Sequence, residues 1–178
     1  MLGGYLCLNT NSRAKFDVEP ISLARHGICV LYPNAESESF GVISFSQENI
    51  TTPTKIVAGV RGLNPNSSFG MQLLENGDIT EGLASLGGSF LVESPGKSGS
   101  PFYKHSGDLG NIMTNEKGAG YMAFTHPFIK LFGENNVFGR SCGVYSERND
   151  EETGLQKGQL LAAGIIGRSA SFKNLPPF

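Results

Sequence analysis

The residues best equipped for chemistry sit between Lys104 and Asn111, a stretch that reads KHSGDLGN. There His105 and Asp108 offer an imidazole and a carboxylate, both of which can enter a tetrahedral zinc site. Two ligands do not complete such a site. The other histidines, His26 and His126, stand at strand ends without ligand-like neighbours. Ser98, Ser100 and Ser106 bring hydroxyls close to His105, but no nucleophile elbow or ordered triad accompanies them, which argues against a hydrolase. Cys7, Cys29 and Cys142 show no CxC or CxxC spacing and read as reduced, buried or inert thiols of an intracellular protein.

The elements that must position these groups are short strands. Alternation and turn punctuation predict them at Gly27–Tyr32, Gly41–Ser46, Thr54–Leu63, Ser67–Glu75, Gly118–Thr125, Ile129–Leu131, Arg140–Ser146 and Leu160–Arg168. In Ser67–Glu75, Phe69, Met71 and Leu73 fall on one face, with Gly70, Gln72 and Leu74 on the other. Turn signals at Asn64-Pro65-Asn66, Asn76-Gly77 and Lys117-Gly118 separate the strands, and the 24 glycines are spread along the chain. Eight strands without a convincing long helix imply an all-β fold, an eight-stranded Greek-key sandwich or flattened barrel. The segment from Asp78 to Glu116 shows no strand pattern and reads as one long loop, held by packing or by a partner.

A chain of 178 residues is most simply one domain, expected over residues 26–172 between an N-terminal extension (1–25) and a short tail (173–178). The net charge of -2 and the absence of a basic run argue against nucleic acid. No apolar stretch approaches the ~18–20 residues that span a bilayer. The first residues carry Arg13 and Lys15 and no acid before Asp17, but lack the apolar core and cleavage site of a secretory signal. They read as an extension packed on the domain or on a partner, with a short mitochondrial presequence as the alternative. The expected location is intracellular, cytoplasmic or mitochondrial.

Three ordered stretches together resemble the copper/zinc superoxide dismutase family: FGMQLLENGDITEG (Phe69–Gly82), HSGDLGN with the following Lys-Gly turn and GENNVFGRS, and LLAAGIIGRSA (Leu160–Ala170). The resemblance implies the same Greek-key barrel. It also assigns ligand positions, and most are substituted. The copper positions fall at Gln72, Leu74, Ser89 and Tyr145; the zinc positions fall at His105, Asp108, Ser89 and Gly96. The arginine that guides superoxide corresponds to Leu160, and the family's disulfide positions correspond to Leu83 and Ala163. Copper that cycles between two oxidation states wants nitrogen donors, and steering an anion wants a fixed cation. The expectation is therefore a chain with no cofactor and no dismutase activity: not an enzyme.

What the resemblance preserves lies elsewhere. Asn76-Gly77-Asp78, Phe138-Gly139-Arg140-Ser141 and the run holding Ile165, Gly167, Arg168 and Ser169 correspond to the family's two-fold dimer interface. The last run resembles the dismutase-like domain of the copper chaperone for superoxide dismutase, where an arginine stands at the position of Arg168. The expected partner is a protein: a second copy, a superoxide dismutase, or a larger assembly.

Overall fold

The computed structural model of the chain describes residues 24–91, 106–152, 154 and 156–175. Eight strands run in chain order: β1 (Arg25–Pro33), β2 (Phe40–Gln47), β3 (Thr54–Arg61), β4 (Ser68–Leu74), β5 (Asp108–Met113), β6 (Gly120–His126), β7 (Ser141–Tyr145) and β8 (Leu160–Ser169). A single 3-10 turn, Gly82–Leu86, is the one helical element among the described residues. The strands are ordered β5-β4-β7-β8-β1-β2-β3-β6, and every pairing is antiparallel. The end strands β5 and β6 are consecutive and meet at a Thr114–Gly120 bridge, which nearly closes the sheet into a barrel. The β3-to-β4 and β6-to-β7 connections cross between non-adjacent strands, as a Greek key requires. No helix of the described residues is long and apolar enough to cross a membrane.

Burial explains the closure. Leu31, Ile43, Phe45, Ile56, Met71, Leu73, Ile112 and Ile166 are almost fully buried and meet in one core between the strands. Alternation along β4 sends Phe69, Met71 and Leu73 into this core, as expected, and leaves Gly70, Gln72 and Leu74 on the other face. Glycine is required where β8 presses on β1: a Cβ at Gly164 would collide with the Val30 carbonyl. At Gly118 a φ of 70° turns the chain from β5 into β6.

Seven of the eight expected strands are present. Ile129–Leu131 is not a strand, although its apolar-polar-apolar pattern matches one. Its backbone is held by side chains instead: Thr54 Oγ1 donates to the Ile129 carbonyl at 2.5 Å, and the Leu131 amide donates to Gln47 Oε1 at 2.7 Å. The eighth strand, β5, lies within the segment read as a loop. Its alternation is hidden because the β4–β5 register slips between Met71 and Gln72, and Gly110 adopts a φ of 86°. A bulge adds a residue and breaks the two-residue period that sequence reading relies on.

Candidate functional site

The positions assigned to copper converge on the outer face of β4 and β7, and each is engaged in protein contacts. Gln72 is fully buried. Its Nε2 donates to the Gly154 carbonyl at 2.7 Å, and its Oε1 accepts from Ser89 Oγ at 2.6 Å. Ser89 is brought there by a bridge to Leu74, and the next residue continues the contact, with the Phe90 amide donating to the Leu73 carbonyl at 2.8 Å. Two copper positions, Gln72 and Ser89, thus bond to each other.

The other two are in an apolar cluster. Leu74, Leu86 and Ala163 are buried together, with Leu83, Tyr145 and Leu160 packed against them. The Leu160 side chain occupies the space over Gly143, where it would touch an added Cβ. Burial pushes the Tyr145 hydroxyl above its ordinary pKa, so it is neutral at physiological pH. Leu83 and Ala163, the disulfide positions, meet in the same cluster.

Below this plug, Asp108 accepts from the Gly110 amide at 2.8 Å and also from Asn149 Nδ2. Asn149 is buried, and the same amide nitrogen reaches the Met71 carbonyl at 2.9 Å and the Gly110 carbonyl at 3.2 Å. Its backbone amide donates to Asn111 Oδ1 at 2.7 Å, which ties the β7–β8 connection to β5. Sequence reading missed Asn149, which lies in a charged stretch without a motif. His105 and Gly96 lie outside the described residues, as do Ser98, Ser100, Cys7 and residues 1–23.

The residues assigned to the dimer interface gather at one end of β7 and β8. Asn76, Asp78, Gly139, Ile165, Gly167 and Arg168 are exposed, whereas Ser141 is buried and donates to the Asn76 carbonyl at 2.6 Å. Arg140 donates to the Glu75 carbonyl at 2.8 Å and lies 3.8 Å from the centre of the Phe90 ring. Arg168 stacks 5.1 Å from Phe138. Gly77 is pressed against the Gly139 carbonyl, so no larger residue fits there. Ser169, half-buried, donates to the Ser171 carbonyl at 2.7 Å.

Beside these residues runs an apolar groove of about 590 Å³, lined by Ile28, Val30 and Tyr32 of β1, Ile79 and Leu83, and Ala163 and Ile165 of β8. The sequence reading had placed only Ile165 and Gly167 there. The available signal was β1 itself, where Cys29 and Leu31 face the core while Ile28, Val30 and Tyr32 are also apolar.

With this geometry in view, the sequence comparisons are decisive. Residues 39–167 match the family model described as copper/zinc superoxide dismutase. The chain belongs to the copper/zinc superoxide dismutase family. It is 34% identical to a superoxide dismutase [Cu-Zn] of Cryptococcus neoformans over 152 residues, covering 79% of this chain and 97% of that one. It is likewise 34% identical to the Saccharomyces cerevisiae superoxide dismutase [Cu-Zn], over 71% of this chain and 88% of the relative. A Dictyostelium discoideum superoxide dismutase [Cu-Zn] 5 is 35% identical over 74% and 84%.

These relatives correct one expectation. They are curated enzymes and match most of the chain, which points to an enzyme rather than to a protein without activity. The expectation rested on single ligand positions, and those bear on one metal centre rather than on whether the chain has an activity. The donor chemistry is a separate matter. Copper as the resemblance places it would face an amide, a serine hydroxyl, a buried leucine and a neutral tyrosine, the first two already bonded to each other. These residues do not fit copper. Among the described residues no three His, Cys, Asp or Glu side chains are grouped to hold a metal.

Proposed function

We propose that this member of the family works by assembly, as a subunit that pairs with a second copy of itself through the face formed by β1, β8 and the Asn76–Ile79 turn. One observation carries the reading. Val30, Tyr32, Ile79 and Ile165 all border the same apolar groove, and they keep 40, 67, 59 and 39% of their surface exposed. An apolar patch of this kind, rimmed by polar residues, marks an interaction surface. Asp78 and Arg168, each next in sequence to a residue that lines the groove, are exposed and polar. A β1–β8 face is also suited to a two-fold contact, in which the same residues meet their own counterparts.

A second reading has the chain dock through the same face on a superoxide dismutase and help it mature, as a copper chaperone does. Arg168 favours it: the guanidinium is exposed at the end of an apolar strand and is held over Phe138. The two free thiols among the described residues, Cys29 and Cys142, are both buried, which suits a reducing intracellular compartment.

Sedimentation velocity separates the readings. The chain alone at micromolar concentration should sediment as a dimer. A monomer that gains mass only when a family enzyme is added supports docking instead. A monomer under both conditions refutes assembly through this face.

A further inference from the structure

Between β4 and the outer loops of this barrel lies a side-chain hydrogen-bond network around Gln72 and Asn149, at positions that the resemblance assigns to copper or that adjoin them. We propose that the hydrogen bonds of Gln72 and Asn149, together with the Leu74–Tyr145–Leu160 plug, replace a metal ion as the brace of the outer loops. The folded chain accordingly takes up neither copper nor zinc at this place.

Three segments have to be tied to β4: the stretch through Ser89, the start of β5 at Asp108, and the β7–β8 connection. Gln72 holds two of them with opposite ends of one amide. Oε1 accepts from Ser89 at 2.6 Å while Nε2 donates to the Gly154 carbonyl at 2.7 Å. Asn149 holds the third. Its amide nitrogen reaches Asp108, the Met71 carbonyl and the Gly110 carbonyl, joining the β7–β8 connection to both β4 and β5. A metal ion in a structural site does the same work, drawing ligands from separate segments onto one point. Here two amides do it with fixed hydrogen-bonding geometry.

The network also resists metal. Binding an ion would require Gln72 to give up both partners, leaving the buried Gly154 carbonyl and the half-buried Ser89 hydroxyl without them. It would also require a cation to enter beside the apolar side chains of Leu74, Leu86 and Leu160. Asn149 shows how closely the network is packed. Its Oδ1 is buried without a partner and lies against Gly70, where an added Cβ would collide with it. The Gly70 backbone therefore approaches too closely for a side chain at that position.

The test is metal uptake together with amide exchange on the full chain. After incubation with excess Cu(II) or Zn(II) and desalting, elemental analysis should find less than about one tenth of an equivalent of either. Chelator should leave the melting temperature unchanged. Gln72→Met keeps the side chain's volume but removes both hydrogen bonds. It should speed hydrogen exchange in peptides covering residues 147–159 by about tenfold, while β2 and β3 keep their protection. Ser89→Ala is the milder variant should Gln72→Met not fold; it removes only the 2.6 Å bond and should raise exchange there by about threefold. One equivalent of copper or zinc retained through desalting would overturn the proposal. So would a melting temperature lowered by chelator, or unchanged exchange in whichever variant folds.

Discussion

Replacing Ile165 by aspartate tests the pairing face most directly. Ile165 lies on β8 at the edge of the groove, keeps 39% of its surface exposed, and is outside the main core, so the isolated barrel should tolerate the change. The exposures of Val30, Tyr32, Ile79 and Ile165 together amount to about two whole apolar side chains. Burying that surface stabilises a dimer by roughly 3–6 kcal/mol from each protomer before the costs of association. Ile165→Asp removes ~1 kcal/mol of that per protomer. It also leaves a carboxylate to be desolvated or held in water at the seam, a further penalty of ~1–2 kcal/mol. With the change present in both protomers, about 4–6 kcal/mol in all corresponds to roughly three to four orders of magnitude in Kd. Sedimentation equilibrium over a concentration series reads this directly. Met113→Asp is the control, since Met113 is 70% exposed on β5 and lies outside the groove. Equal Kd values for wild type and Ile165→Asp, or equal weakening by Met113→Asp, would refute the reasoning.

Other consequences can be checked in solution. Leu74→Ala opens a cavity in the small outer cluster and should cost about 2–3 kcal/mol in urea unfolding, the lower part of the usual range because the cluster is small. Arg140→Met should cost about 1–2 kcal/mol by the same assay, through loss of the bond to the Glu75 carbonyl and the contact with Phe90. His126 Nδ1 accepts from the amides of Phe128 and Ile129, and burial lowers the imidazole pKa below its ordinary value. The unfolded chain then binds the proton more readily, so stability should fall as pH drops below about 6.5 and level off beneath the folded-state value. That slope should shrink in His126→Gln if the assignment is right. Cys142, pushed well above its ordinary pKa by burial and then by the neighbouring Cys29 thiol, should resist alkylation at pH 8 until the chain is unfolded. Modification of its peptide at the rate of a free thiol would contradict the buried placement.

The fold was legible because most strands obey one rule. In β2 and β4 the two-residue period is intact, and glycine or asparagine turns mark the ends, so local pattern and final structure agree. β5 escaped because its bulge puts Leu109 and Ile112 three apart rather than two. Ile129–Leu131 misled for the opposite reason: the pattern was present, but its hydrogen-bonding partners were the Gln47 and Thr54 side chains rather than a neighbouring strand. At the site, sequence could indicate which positions face outward from β4 but not what fills the space above them. The contacts among Gln72, Ser89 and Gly154 span up to 82 residues and involve no motif. Asn149 was invisible for the same reason. The groove was half legible: its β8 side came from resemblance, while its β1 side needed the pairing of Cys29 with Ile166 to bring Val30 beside Ile165.

The relatives point to an enzyme, and the donor set on β4 and β7 does not fit copper. These statements concern different parts of the molecule. The main core, built from Leu31, Phe45, Ile56 and Met71, lies on the inner face of the strands and needs nothing from the outer face. Substitution at Gln72, Leu74 and Tyr145 can therefore change the chemistry above β4 while the barrel below persists. The same separation bears on assembly. The groove proposed for pairing is lined by β1, β8, Ile79 and Leu83, and Leu83 and Ala163 belong at once to the groove and to the plug. Loosening the plug should therefore be felt at the pairing face, whereas changes at the far edge, on β5, should not. Leu74→Ala thus tests both: beyond its cost in stability, it should weaken self-association through Ala163 and Leu83. An association constant unchanged by Leu74→Ala would mean that plug and interface share residues without sharing energy.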